Sequence, residues 1–304
     1  MKWANRKFIF NFNNFNSYFY KSAMIPIPVV KKDYVRFYIA GQSKSDVGYP
    51  TYIDCDINDF SNILRIGEKP LFDVGFPGTF DQDGCVPLSV VELPNNKAYM
   101  YYVGFELGTK ARYRMLTGLA IAEDGENFKR YSDVPILERV DNEALFRCGP
   151  FVMLENGIFR MWYVAGNSWS VIDGKALPNY TINYLESSDG IHWDGKSKVC
   201  IDIENENEHG FGRPYIIKHN GLYKMFYCIR IKKLGYRLGY AESKDGINWH
   251  RKDNEINFDV ANKGWDAEVL AYPAVTQING NWYMFYNGNG MGKSGFGYAE
   301  LLEW

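Results

Sequence analysis

Four short stretches of the chain place acids and arginines a few residues ahead of a proline. Asp81 and Asp83 precede Pro87, Glu143 and Arg147 precede Pro150, Glu208, His209 and Arg213 precede Pro214, and Asp266, Glu268 and Tyr272 precede Pro273. Paired carboxylates are the equipment of glycosidic chemistry: one, held protonated, assists the leaving oxygen, while the other, ionised, activates water or attacks the sugar. Asp83 and Glu268 stand at similar offsets before their prolines and are the leading candidates for acid and base or nucleophile. Asp81 and Asp266 lie close to them in sequence and are candidates to tune them as like charges. Arg147 and Arg213 carry the planar fork that clamps an anion bidentately. Glu208, His209, Tyr272 and Glu143 complete the candidate substrate-binding set. Each has a plainer reading: short acids bond the backbone at strand entries, arginines hold neighbouring sheets together, and a lone histidine is often a hydrogen-bonded wall residue. Glu268, flanked by Ala267 and Val269, is expected inside an apolar strand, where a buried acid needs a function.

The elements that must position these residues repeat. Each candidate stretch is followed by a short apolar run, a turn and an aromatic strand, as in AYPAVTQINGNWYMFYNG from Ala271. Asn279-Gly280 between two β-prone runs is a strong hairpin signal. Gly41, Gly104, Gly166, Cys228 and Gly288 close the aromatic strands at intervals of about sixty residues, a period of stacked or radial supersecondary units. Behind them come GLAIAEDGENFKRY, YLESSDGIHWDG and GYAESKDGINWHRK, whose Asp-Gly steps suit type I′ turns. The first copy is degenerate here, with TYIDCDINDFSNIL from Thr51. The predicted unit is therefore four short antiparallel strands, a propeller blade, repeated five times in a single all-β domain spanning 1–304. The fifth copy is short of one strand, and Arg6–Phe12 (RKFIFNF) is expected to pair with it and close the ring, since an open apolar edge invites aggregation. The first strand of each blade lines the channel of a propeller, so the polar residues before each proline are expected to meet there. The aromatic strands are expected mainly to be core.

Composition excludes several classes. With 46% apolar and 17% aromatic residues and a net charge of −2, the chain has material for a large core and no basic face for nucleic acid or an anionic membrane. No apolar run has membrane-spanning length, and no secretory signal is legible at the N-terminus, which points to a cytoplasmic protein. The five cysteines are widely spaced without a C-x-x-C pair, as suits free thiols rather than a disulfide framework or zinc site. The Asp-Gly loops lack calcium-loop ligand spacing, so no metal is assigned.

The five repeats, SSDGIHW (Ser187 to Trp193), SKDGINW (Ser243 to Trp249) and the Gly212-Arg213-Pro214 strand start resemble the five-bladed β-propeller glycoside hydrolase superfamily of families 32, 43, 62, 68 and 130, which includes arabinanase-, levansucrase- and invertase-like proteins. The resemblance covers nearly the whole chain. FDQDGCVPLSVVEL, GFGRPYIIK and GWDAEVLAYPAV are similar to a subgroup associated with bacterial surface-polysaccharide gene sets. It implies a propeller fold, a carbohydrate or activated-sugar partner and, in family 43-like members, a channel calcium. Families 32 and 43 carry an essential Asp on the first strand of the first blade; the matching Tyr20–Pro26 region contains no carboxylate. Three functions remain open: a glycosidase-like enzyme, a glycosyltransferase or phosphorylase acting on an anionic or activated sugar in the manner of family 130, and a non-catalytic glycan-binding propeller.

Overall fold

The computed structural model describes residues 1–172 and 174–304. They form β1 (Lys2–Phe10), β2 (Lys21–Val30), β3 (Tyr34–Gln42), β4 (Gly48–Asp56), β5 (Ile63–Ile66), β6 (Cys85–Glu92), β7 (Ala98–Leu107), β8 (Tyr113–Ala122), β9 (Lys129–Arg130) and β10 (Phe146–Glu155). There follow β11 (Ile158–Ile172), β12 (Lys175–Ser187), β13 (Lys198–Ile201), β14 (Glu208–His219), β15 (Leu222–Ile231), β16 (Gly235–Ser243), β17 (His250–Arg251), β18 (Ala271–Ile278), β19 (Asn281–Asn287) and β20 (Phe296–Glu303). Two compact units are distinguished: Met1–Pro70, Tyr215–Ile229 and Lys233–Trp304 form the first, Leu71–Pro214 and Arg230–Lys232 the second.

In the first unit, β2–β5 make one four-stranded sheet, and β18, β19, β20 and β1 make another in that order. β1 pairs antiparallel with β20, Lys7 opposite Tyr298 and Phe8 opposite Gly297, so the N-terminal strand supplies the missing edge over Lys2–Phe10 rather than Arg6–Phe12. The sheet β14–β17 lies largely in this unit, with β14 divided after Pro214 and β15 after Ile229. In the second unit, β6–β9 and β10–β13 each form four antiparallel strands, joined by a two-residue parallel bridge between β8 and β10.

The turns divide by chemistry. Asn156-Gly157, Asn220-Gly221 and Asn279-Gly280 all have both residues at positive φ, as type I′ hairpins require. The Asp-Gly turns differ from the type I′ expectation, because only Gly125, Gly190 and Gly246 are left-handed. The aspartate instead accepts the N–H groups two and three residues on: Asp124 from Glu126 and Asn127, Asp189 from Ile191 and His192, Asp245 from Ile247 and Asn248. The Asn127 side chain and these amides hold the Asp124 carboxyl down at about 2, since hydrogen bonds to the charged form favour it.

The prolines of the first strands sit at bulges, the position a sheet tolerates for a residue without an N–H. Register shifts fall at Met24/Ile27, Pro87/Ser89, Cys148/Phe151 and Ala271/Ala274. In four of these strands the residue before the proline is left-handed: Ile25 at φ 56°, Gly149 at 63°, Arg213 at 35° and Tyr272 at 57°. For three of them, side chains with Cβ atoms, this is strained backbone that only the surrounding sheet enforces.

The aromatic strands are core, as expected. Phe37, Phe60, Phe285 and Phe296 pack between sheets β2–β5 and β18–β20, with Phe37 and Phe285 edge to face at 4.7 Å. Tyr101, Met161, Tyr163 and Trp193 fill the space between sheets β6–β9 and β10–β13. The five cysteines are free, and burial pushes the Cys55 and Cys148 thiols up to about 12.

Candidate functional site

Four sheets share one buried device. A tyrosine of the second strand donates its hydroxyl to a carboxylate that an arginine also holds. In β6–β9 these are Tyr102, Asp81 and Arg130, at 2.8 Å and 2.9 Å. In β18–β20 and β1 they are Tyr286, Asp266 and Arg6, at 2.9 Å and 3.2 Å. In β14–β17 Tyr227 donates to Asp253 at 2.6 Å, and Arg251 holds the same carboxylate at 2.8 Å. In β10–β13 Tyr163 donates to Glu143 at 2.7 Å, while Arg147 approaches it to 2.5 Å. Burial pushes all four phenols well above their ordinary range, so they act as neutral donors. Tyr102 lies flat over β8 because Gly118 faces it; a Cβ there would come to 2.3 Å of the ring. In the third sheet Asn183 stands instead and donates to Glu143, which also accepts from Ser197.

Four of the sequence candidates, Asp81, Glu143, Arg147 and Asp266, therefore belong to these clamps. Asp81 is fully buried and additionally accepts from Thr79. Clustering is local: Glu143 and Arg147 are brought into contact, whereas Asp81 and Asp83 share no partner. Asp83 is half-buried, and one of its oxygens takes the Leu107 N–H at 2.7 Å. Glu268 departs from expectation. It is exposed in a bend ahead of β18, because the strand begins only at Ala271. Its backbone is pinned on both sides, its N–H to Asn289 Oδ1 at 2.8 Å and its carbonyl by Arg237 at 3.0 Å. Among the described residues its carboxylate makes no hydrogen bond or ion pair. In both sheets, then, a clamped acid is followed two residues later by one with an uncommitted oxygen.

Tyr272 is half-buried at its left-handed position, with its N–H directed to Cys228 Sγ at 3.0 Å and its ring 5.8 Å from Tyr236. Arg213 is buried at the equivalent step of β14. Glu208 is buried and accepts the Glu204 N–H at 3.1 Å. His209 is buried beside Arg230, whose guanidinium lies 5.2 Å from the Tyr180 ring centroid. Burial and the positive charges of Arg230 and Lys232 hold the His209 imidazole below its ordinary range. Sequence spacing gives no signal for Arg6, Arg130, Arg230 or Tyr180, which reach these sites from other strands. Among the described residues no three His, Cys, Asp or Glu side chains are grouped as a metal site.

No protein-family model matches the chain. A Mycobacterium tuberculosis protein designated "Uncharacterized protein Rv1502" is 31% identical over 283 residues, 92% of each chain. The 1,2-beta-oligomannan phosphorylase of a Thermoanaerobacter species is 32% identical over 167 residues, 52% of each chain. Among solved structures, a glycoside hydrolase superposes with a TM-score of 0.74 at 18% identity, covering 99% of this chain and 93% of that one. A thermostable family-43 glycoside hydrolase gives a TM-score of 0.69 at 17% identity, covering 93% and 91%. The chain therefore belongs to one family with the M. tuberculosis protein, and it shares its fold along nearly its entire length with solved glycoside hydrolases.

Proposed function

We propose that the protein is a carbohydrate-active enzyme that cleaves or transfers a glycosyl unit, with Glu268 and Asp83 as its reacting carboxyl groups. The observation that carries this is the recurrence, in sheets β6–β9 and β18–β20, of a clamped acid followed two residues later by an acid with an oxygen left over, on a fold shared end to end with glycoside hydrolases. The clamps divide the labour. Asp81 and Asp266, each tied to a tyrosine and an arginine, fix the strand entry, and the neighbouring acid is free to give or take a proton. Glycosidic chemistry asks for two carboxyls in different roles; Asp83 has one oxygen anchored by the Leu107 N–H, whereas the Glu268 carboxylate is exposed. In this reading each four-stranded sheet is a propeller blade, and β1 completes the last of them beside β20.

A second reading, phosphorolysis or transfer from an activated sugar, is favoured by the likeness to the 1,2-beta-oligomannan phosphorylase and by the absence of any carboxylate in β2. Arg213, buried at the left-handed step of β14, is its candidate anion ligand. The test is turnover of oligosaccharides and sugar phosphates with and without inorganic phosphate, on the native protein, Glu268→Gln and Arg213→Ala. Hydrolysis abolished in Glu268→Gln supports the first reading; strict phosphate dependence lost in Arg213→Ala supports the second. Binding without turnover, unchanged in both variants, would replace both with a glycan-binding role.

A further inference from the structure

The β11–β12 hairpin continues past Gly166, its last partner on β10, pairing Ser168 with Asn179 through to Ile172 with Lys175. Its root is held by aromatic contacts: Trp169 lies 5.6 Å from Phe146, and Phe146 lies 5.4 Å from Tyr180. Against that root stands the opening of β14. Gly210 fits closely enough that a Cβ would come to 2.9 Å from the Tyr180 backbone nitrogen. His209 beside it is 6% exposed and Tyr180 4%. The carbonyls of Pro178 and of His209 itself face the His209 ring, and His209 Nδ1 is buried without a well-formed hydrogen bond among the described residues.

A buried polar atom left unpaired costs about 1–3 kcal/mol, and such atoms in native proteins ask for an explanation. Burial together with the charges of Arg230 and Lys232 keeps this imidazole neutral, so one nitrogen donates and the other presents a lone pair. A lone pair selects a donor. It repels phosphate and carboxylate oxygens and accepts an O–H group, and Tyr180 beside it, kept protonated by burial, contributes a phenol hydroxyl. We propose that His209 reads one hydroxyl of the bound glycosyl unit through Nδ1, in a neutral sugar subsite roofed by the β11–β12 hairpin. This inference rests on the carbohydrate reading above.

The experiment uses the full chain with methyl glycosides of the common hexoses and, for the best binder, its monodeoxy analogues, read by calorimetry on the native protein, His209→Leu and His209→Asn. Loss of one particular hydroxyl is expected to weaken binding to the native protein about 10- to 100-fold, because a site built to bond a hydroxyl rejects the analogue lacking it. His209→Leu is expected to bind parent and that analogue equally, and His209→Asn to recover part of the difference. Equal discrimination by the native protein and His209→Leu overturns the proposal while leaving the carbohydrate reading intact; binding of no glycoside by the native protein overturns that reading. Nitrogen-15 NMR of the His209 ring supplies a ligand-free check that needs no variant to fold: a proton on Nδ1 in the unliganded protein also overturns the proposal.

Discussion

Sheets β6–β9 and β18–β20 build the same clamp from opposite ends of the sequence. Asp81 takes its tyrosine and arginine from positions 21 and 49 residues away, within one continuous stretch of chain. Asp266 takes its tyrosine from 20 residues away, but its arginine from 260 residues away on β1. The outermost strand of the sheet supplies the arginine in both cases. The requirement is thus attached to a place in the sheet, and the chain fills that place from whichever segment arrives there. Burial differs accordingly: the Arg130 and Asp81 side chains are 19% and 0% exposed, those of Arg6 and Asp266 31% and 4%. Arg6 offsets its greater exposure by stacking 3.9 Å over Phe258 and donating to the Asp259 carbonyl.

The comparison is most severely tested by removing residues 1–12. That deletion takes away β1, the Arg6 clamp and Phe12 of the core, and exposes the β20 edge; a loss above about 5 kcal/mol, comparable to the whole stability of a domain, is expected as insoluble or unfolded protein. A soluble product with the native melting temperature would show that the last sheet does not depend on β1. Next in size is Asp81→Ala, which leaves Arg130 and Tyr102 facing an empty buried site. It should cost about 3–5 kcal/mol in denaturant unfolding, the usual effect of breaking a buried pair. Asp266→Ala should cost less, about 1–3 kcal/mol, because Arg6 can turn to water. Equal losses would mean that burial of the arginine does not matter.

The acids two residues on should behave in the opposite sense. Glu268→Gln and Asp83→Asn are expected to cut turnover about 10²- to 10⁴-fold with stability within about 0.5 kcal/mol of native. A stability loss without loss of turnover would make them structural and dissolve the contrast with the clamped pair. The smallest effect concerns pH. The folded protein holds His209 below its unfolded value near 6.5, so the unfolded chain binds more protons just beneath that pH. The contribution of neutral His209 is complete above about pH 6.5 and is lost as pH falls towards the folded pKa. Melting temperatures between pH 5 and 8 should therefore decline more on the acid side for the native protein than for His209→Leu, and parallel curves would count against a buried neutral histidine.

Much of this was legible in local chemistry. Asn-Gly steps need two left-handed residues and dictate hairpins wherever they fall; aromatic runs ending in glycine mark the buried second strands; and the bare edge of the fifth repeat points to an N-terminal partner. The errors have physical causes too. Asp-Gly was expected to turn through its backbone, but the aspartate side chain captures two amides and leaves only the glycine left-handed. Glu268 looked interior because Ala267 and Val269 flank it, yet side-chain alternation holds only within a strand, and the strand begins three residues later at Ala271. Asp81 and Glu268 have the same formal charge and similar settings before a proline; nothing in either segment announces that Arg130 reaches the carboxylate of one, while among the described residues no cation pairs with that of the other.

The sequence by itself determined the strands, their turns and the sixty-residue repeat, because each follows from φ preferences and side-chain contacts within a few residues. The tertiary structure alone decided which acids are neutralised and which are left to react. An ion pair depends on which side chain, near or far in sequence, enters a few ångströms of space, and the four arginines of the clamps come to their carboxylates from 2 to 260 residues away.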